Sequence, residues 1–212
     1  MGLDIHIRHL SAGGKPLLSD WRVQCAAGQI VTLMGPSGSG KSSLLAAVCG
    51  IAPQGIAFDG DVMLDGHNLT QLSCAQRRIG MLFQDDLLFA HMTVRENLLF
   101  AVPAGPQAER KAQVTRMLDE LGFANMAERS PLTLSGGQRA RVSLARTLLA
   151  QPRALLLDEP FSKLDAALRQ DIRDFVFTRA RKLQLPTLLV THDSADIADP
   201  AAVMRLPMMS AA

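Results

Sequence analysis

The residues best suited to chemistry form one short run, Gly35-Pro36-Ser37-Gly38-Ser39-Gly40-Lys41-Ser42, with Ser43 behind it. The run fits the pattern G-x-x-x-x-G-K-[ST] at every fixed position. Its glycines let backbone N–H groups turn inward around an anion, where side chains would block them. Lys41 adds a full positive charge, and a helix opening behind the loop adds a partial one. The Ser42 hydroxyl is placed to ligate Mg²⁺. Gly35 through Ser43 therefore form a candidate cradle for phosphate groups. A glycine-rich turn that binds nothing would need neither Lys41 nor Ser42.

Asp158 and Glu159 are a second candidate pair. They follow the apolar run Ala154-Leu155-Leu156-Leu157 and precede Pro160. A buried parallel strand delivers the residues at its C-terminal end to a ligand crevice. There Asp158 would hold Mg²⁺, directly or through water, and Glu159 would polarise an attacking water. This division of labour suits hydrolysis of a phosphoanhydride, where positioning and charge stabilisation dominate. Alone, an Asp-Glu pair reads equally as a helix cap or a solvated turn. A third run, Leu134-Ser135-Gly136-Gly137-Gln138, opens a helix expected over 139–150. Two glycines and a serine at a helix N-terminus make a second anion site.

The elements that must position these residues follow from periodicity and turn chemistry. Residues 3–10 and 21–25 alternate apolar and polar side chains, as half-buried strands do, with a turn over 11–16. Trp21, Val23 and Cys25 share one face of the second strand. A short apolar run at 30–34 leads into the glycine loop, and the helix behind it ends near Cys49-Gly50. Phe58-Asp59-Gly60 and Leu64-Asp65-Gly66 read as hairpin turns. Residues 78–84 read as a buried strand ending at Gln84. From 85 to about 150 the pattern turns helical, with helices over 94–102 and 107–121 broken at Pro103-Ala104-Gly105-Pro106. Strands at 154–157 and 187–190 flank an amphipathic helix over 165–183, which implies a parallel sheet. Residues 207–212 read as a frayed tail.

Composition bounds the rest. The 212 residues are 48% hydrophobic and 20% charged, as in a folded soluble protein with one sizeable core. A net charge of +2 gives no electrostatic argument for nucleic acid. Arginines recur on the later helices among interleaved acids, which reads as solvated helix faces. Cys25, Cys49 and Cys74 form no C-x-x-C pair, which suits a reducing cytosol and argues against a structural zinc or a disulfide framework. Asp4, His6 and Arg8 stand where a signal peptide would need an apolar stretch. No apolar run is long enough to cross a bilayer.

With three motifs in one chain, the sequence resembles the nucleotide-binding subunit of an ATP-binding cassette (ABC) transporter over nearly its whole length. Residues 134–138 match that family's signature at every position. The resemblance implies an α/β fold: a P-loop NTPase (RecA-like) core, an N-terminal antiparallel β subdomain and an inserted α-helical subdomain. Residues 1–84 and 151–212 would form the core with the β subdomain, and 85–150 the helical signature subdomain. The implied activity is hydrolysis of ATP with Mg²⁺. Two copies of the chain would pack head to tail, so that Leu134, Ser135, Gly136, Gly137 and Gln138 of one face the phosphate loop of the other. Gln84 matches a glutamine that senses Mg²⁺ and the attacking water. His192 matches a switch histidine that contacts the γ-phosphate and orients Glu159, and Asp165 an aspartate that crosses the dimer interface. Ser42, Gln84 and Asp158 would form the Mg²⁺ site. Residues 83–96 resemble a surface that receives a coupling helix, with Leu87, Leu88, Phe89 and Met92 lining a groove.

The implied setting is an importer. The partners are a second copy, one or more transmembrane permease subunits and a solute-binding protein, with no nucleic acid. The place is the cytoplasmic face of the cell (inner) membrane, held peripherally. The alternative is a soluble, non-transport ABC ATPase linked to nucleic acid or translation, but such proteins carry two cassettes or a long coiled-coil insertion. An ordinary small-molecule kinase would leave residues 134–138 and His192 unexplained. Three departures stand out. The 11–16 turn lacks the aromatic on which adenine usually stacks, so GTP should be accepted nearly as well as ATP. Lys163 stands where a small residue is usual. The segment after His192 leaves little room for closing strands or a regulatory domain.

Overall fold

A computed structural model of the chain describes residues 2–36, 38–164 and 166–206, without the side chains of 166–168. Ser37, Asp165 and the tail at 207–212 lie outside the described residues. The chain divides into two compact units, Met1–Met81 with Arg153–Glu159 and Phe177–Ala212, and Leu82–Pro152 with Pro160–Val176.

In the first unit, β1 (Gly2–Ala12) and β2 (Lys15–Ala26) form an antiparallel hairpin. Only Gly13 and Gly14 turn between them, both at positive φ, so the strands run closer to the turn than alternation alone suggests. Leu3, Ile5 and Ile7 of β1 face the core with Trp21, Val23 and Cys25 of β2, as the period-two pattern requires. β3 (Ile30–Met34) leads to α1 (Lys41–Cys49), which stops at Gly50 in the left-handed region. β4 (Ile56–Leu64) pairs with β1, and β5 (His67–Asn68) completes a four-stranded sheet in the order β2-β1-β4-β5.

The turn expected at Phe58-Asp59-Gly60 is absent, because β4 runs straight through it. Gly60 lies opposite Ile7, and a Cβ there would stand 2.3 Å from the His6 carbonyl oxygen. The glycine serves close strand approach beside a register shift, not chain reversal. The Asp65-Gly66 turn does form, joining β4 to β5.

α2 (Cys74–Arg77) and β6 (Ile79–Leu82) follow. β7 (Ala154–Asp158), β8 (Thr187–Thr191) and β9 (Val203–Arg205) build a second sheet in the order β6-β7-β8-β3-β9. β3, β7, β8 and β9 pair in parallel. Every residue of β7 and β8 is buried, which is why they read as continuous apolar runs instead of alternating ones. Burying a leucine here contributes roughly 1.5–3 kcal/mol. β6 ends at Leu82, two residues short of the strand end expected at Gln84. β9 shows that the segment after His192 has room for one short closing strand beside β3.

The second unit is helical. It contains α3 (Val94–Ala101), α4 (Gln107–Glu120), α5 (Gly136–Leu149) and the first part of α6 (Ala166–Lys182). Thr93 and Glu96 close a capping box at the start of α3. Val114, Met117, Leu118 and Leu121 make the buried stripe of α4 at helical spacing. α5 begins at Gly136, three residues before the expected start at Arg139. The architecture is that of a P-loop NTPase: a parallel α/β core with an antiparallel β-sheet and a helical insertion.

Candidate functional site

β3 ends at Met34 and the chain turns through the glycine loop into α1. Gly38 (φ 79°) and Gly40 (φ 86°) both lie in the left-handed region, which only glycine enters without strain. A Cβ on Gly40 would also stand 2.9 Å from Leu17 Cδ1, so this position excludes a side chain twice over. Among the described residues no side chain caps α1, which leaves its first N–H groups as donors for a ligand. Lys41 is 6% exposed, and its ammonium donates to the carbonyl oxygens of Gly35 (2.8 Å) and Pro36 (2.7 Å). An ammonium has three donors, which leaves one for an incoming oxygen. The Ser39 hydroxyl is buried with no hydrogen-bond partner among the described residues. A buried orphan hydroxyl beside a lysine and an uncapped helix end fits a bound phosphate.

Asp158 closes β7 and accepts a hydrogen bond from the Ser42 hydroxyl. Burial pushes its carboxyl above the ordinary range, and the Ser42 bond acts against that shift. Among the described residues, no cluster of three His, Cys, Asp or Glu side chains is placed to hold a metal. One hydroxyl and one carboxylate are hard oxygen donors. That set fits Mg²⁺, which takes one or two protein oxygens and completes its shell with phosphate oxygens and water.

Glu159 lies just past the strand at φ 46°, left-handed for a residue with a side chain. Its N–H donates to the Val190 carbonyl at 2.9 Å, which anchors this conformation to β8. Backbone strain of this kind gathers at functional sites. From the end of β8, His192 Nδ1 reaches Glu159 Oε1 at 3.1 Å. A carboxylate only accepts, so Nδ1 carries the hydrogen and Nε2 of the neutral ring is left as an acceptor. Buried Thr191 fixes the loop that carries His192. Its hydroxyl donates to Asp196 Oδ2 (3.0 Å) and accepts from the Asp193 N–H (3.1 Å). Thr191 and Asp196 carry no sequence motif, and this supporting bond shows only in the fold.

Gln84 and residues 134–138 belong to the second unit. Gln84 is exposed, two residues beyond β6. Ser135 is the N-cap of α5. Its hydroxyl accepts from the Gln138 N–H (3.2 Å), and its N–H donates to Gln138 Oε1 (2.9 Å). This box starts the helix at Gly136, earlier than its arginine-rich body suggests, and it leaves the Gly136 and Gly137 N–H groups without acceptors among the described residues. Leu134 is buried at its entry.

The arginines of α5 are not the solvated face that their interleaving with acids suggests. Arg139 donates to Asp86 Oδ2 (3.1 Å) and to the Leu134 carbonyl (2.8 Å). Arg146 donates to the Leu87 carbonyl (2.9 Å) and lies over the Phe89 ring, 5.4 Å from its centroid. Both therefore tie the segment after Gln84 to the helix that 134–138 opens. Asn97, fully buried, adds a third hold. Its amide nitrogen donates to the carbonyls of Phe89 (3.1 Å) and Thr93 (3.0 Å), and its oxygen accepts from the Phe89 N–H (2.9 Å). Of the residues expected to line a groove, Leu87 is 55% exposed and Leu88, Phe89 and Met92 are half-buried. Phe100, 63% exposed, meets Phe89 edge-on at 4.9 Å. Lys163 pairs with Asp85 at 2.7 Å, so its side chain has a partner within its own unit.

A glycine loop between a parallel strand and an uncapped helix, with a strand-end carboxylate on its serine, defines a P-loop NTPase. Within that class, a family model described as ABC transporter matches residues 18–162. An uncharacterized ABC transporter ATP-binding protein, YnjD of Escherichia coli K12, is 45% identical over 195 residues, covering 92% of this chain and 90% of that protein. The sulfate/thiosulfate import ATP-binding protein CysA of Escherichia coli K12 is 38% identical over 213 residues, covering 96% of this chain. The CysA of Acinetobacter baylyi is 41% identical over 186 residues, covering 84% of this chain. This chain spans 58% and 52% of the two CysA proteins. The chain belongs to the ABC transporter family, as an ATP-binding subunit and an ATPase. Among the described residues, no helix is long and apolar enough to cross a membrane.

Proposed function

We propose that this chain hydrolyses ATP to drive a solute across a membrane through separate permease subunits, working as a head-to-tail pair of identical chains. The reading rests chiefly on the Glu159–His192 pair at 3.1 Å, next in sequence to the Asp158 carboxylate that accepts from Ser42. Two CysA relatives are named as sulfate/thiosulfate import ATP-binding proteins, which supports import. An importer of this kind would take a solute-binding protein as a further partner and work at the cytoplasmic face of the membrane. The exposed side chains of Leu87 and Phe100, the latter edge-on to Phe89, support a permease contact on the second unit, since exposed apolar surface suits docking.

Lys41 and the N–H groups of the loop hold the phosphates of ATP, and Ser42 and Asp158 would hold Mg²⁺. When bound, the ion neutralises charge on the phosphate oxygens. Glu159 accepts a hydrogen bond from the attacking water and aligns it, and His192 fixes the carboxylate through its Nδ1–H. Ser135 and the Gly136 and Gly137 N–H groups of the second copy cover the γ-phosphate. Residues 85–150 carry that cover and the permease contact in one subdomain. Nucleotide closes the pair, hydrolysis reopens it, and the permease follows.

Glu159→Gln tests this directly. It keeps the size and the hydrogen-bonding oxygen but loses the charge. Hydrolysis should fall by roughly 10²–10³-fold while nucleotide binding persists, and gel filtration with ATP should show a stable pair of chains. Hydrolysis at the wild-type rate would remove Glu159 from the role, and full wild-type activity from a demonstrably monomeric sample would remove the pair.

A further inference from the structure

We propose that Cys49 and Cys74 are an oxidation site, a pair of thiols that a hydroperoxide converts into a reversible disulfide joining the end of α1 to the start of α2. Their sulfurs lie 3.8 Å apart. A disulfide needs about 2.05 Å, so the two must close by less than ~2 Å. The segments that carry them are already clamped together. Arg77, 6% exposed, donates to the Ala47 (3.1 Å) and Val48 (2.6 Å) carbonyls at the end of α1. The same guanidinium donates to the carbonyls of Leu72 (3.0 Å) and Thr70 (2.7 Å), just ahead of α2. The thiols are thus held at contact distance by a third residue, and no large backbone movement separates them from a bond.

The two sulfurs differ in access. Cys49 is 3% exposed and Cys74 is half-buried. Burial and the neighbouring sulfur push the Cys49 thiol up to about 12, and the charge of Arg77 acts against that shift. Cys74 is therefore the sulfur that peroxide meets first. Its thiolate attacks one peroxide oxygen, the O–O bond breaks, and hydroxide leaves. Sulfur is oxidised to the sulfenic acid and the peroxide is reduced. Cys49 sulfur then attacks the Cys74 sulfur. The S–S bond forms, the S–O bond breaks, and the hydroxyl leaves with the Cys49 proton as water. A thiol reductant reverses the bond. Cys25 is buried, its thiol also pushed up to about 12, and it serves as an internal control.

The test treats the full-length wild-type chain with hydrogen peroxide, alkylates it after denaturation, and maps its peptides without reduction. The expected product joins the Cys49 and Cys74 peptides, two hydrogens lighter than their sum. Alkylation at both should fall about tenfold, with Cys25 unchanged and full recovery after dithiothreitol. Cys74→Ser should abolish the linked peptide and leave Cys49 a thiol. The proposal fails if both cysteines still alkylate after peroxide, if Cys74 ends as sulfinic acid with Cys49 untouched, or if the link involves Cys25. The wild-type map decides the matter even if the variant does not fold.

Discussion

α1 begins on Gly40 with no side-chain cap, whereas α5 begins on Ser135, whose hydroxyl and Gln138 close a capping box. Both ends present backbone donors and the positive pole of a helix dipole. At α1 the conformation is set by glycine alone, and Lys41 supplies the charge. At α5 the protein satisfies two of its own groups, and the N–H groups of Gly136 and Gly137 have no acceptor among the described residues. A glycine cap in place of a serine gives up only about a few tenths of a kcal/mol of helix stability and leaves the first N–H groups open. The α1 end leaves its donors open beside a lysine, while the α5 end stands on its own cap. In the proposed pair, the first would hold phosphate and the second would meet phosphate held by the other chain.

The largest effect that could break this contrast comes from mixing two inactive variants. Lys41→Ala removes the charge at α1 and should lower hydrolysis by about 10³-fold. Ser135→Asp keeps a capping oxygen at α5 but sets a carboxylate against phosphate, and should lower hydrolysis by at least ~10-fold. In a head-to-tail pair, one mixed dimer contains one site with both ends intact. Combining the two purified variants should therefore restore hydrolysis above the sum of either alone. If the mixture gains nothing, the two ends do not act across chains.

Stability separates the two ends next. Ser135→Ala should lower stability by about 1 kcal/mol, or roughly 2–4 °C in thermal midpoint by circular dichroism, because the box is lost. Ser135→Asp should hold the midpoint while losing activity. A midpoint unchanged by Ser135→Ala would mean that the box contributes nothing to α5.

The ends also differ in how far sequence reveals them. The left-handed glycines and the lysine of the α1 loop are legible in sequence, since both depend on local residues. The α5 box was half legible. Ser135 and Gln138 stand at capping spacing, yet the helix starts at Gly136 because the cap, not the arginine-rich body, fixes its boundary. Arg139, Arg146 and Asn97 were not legible, because their acceptors are backbone carbonyls or carboxylates that only tertiary structure brings near. Gly60 misled for the same reason. A glycine after an aspartate signals a turn locally, and only the facing β1 backbone shows why it lies within a strand. Cys49 and Cys74 are distant in sequence, and nothing in their spacing brings their sulfurs together.

A smaller effect, with opposite signs at the two ends, sharpens the contrast. The Asp158 carboxyl is raised above its ordinary range mainly by burial. The folded chain therefore binds that proton more tightly than the unfolded chain does. The stability this group contributes is complete below the ordinary carboxylate range and is lost as pH rises through the raised value. At neutral pH the ionised carboxylate is a cost to folding. Asp158→Asn should then raise the nucleotide-free thermal midpoint at pH 7 while hydrolysis is lost. The gain should shrink as pH falls below the ordinary carboxylate range, where Asp158 is protonated in both states. At α5 the corresponding loss, Gln138→Ala, should lower the midpoint. A drop in both variants at pH 7 would erase the distinction between a binding end and a capped end.

The smallest expected effect concerns the base, which neither helix end contacts through a ring. The β1–β2 turn is Gly13-Gly14, and no aromatic stands in residues 11–16. From that hairpin, aliphatic Leu17 packs over Gly40 at the start of α1. Trp21 is 8% exposed and committed to the core. An aliphatic wall offers apolar contact to either purine and no hydrogen bond that would tell them apart, and apolar contacts alone discriminate weakly. Nucleotide affinity would then rest mainly on the phosphates at α1, as the proposed site requires. Steady-state assays with ATP and GTP should give kcat/KM values within about tenfold of each other. Placing a tyrosine at Gly14 is disfavoured by its left-handed backbone, so Lys15→Tyr is the variant that should add a ring and improve binding of both. A hundredfold preference for ATP in the wild-type chain would mean that a base-reading group lies outside this hairpin, and that phosphate contacts at α1 are not the main source of affinity.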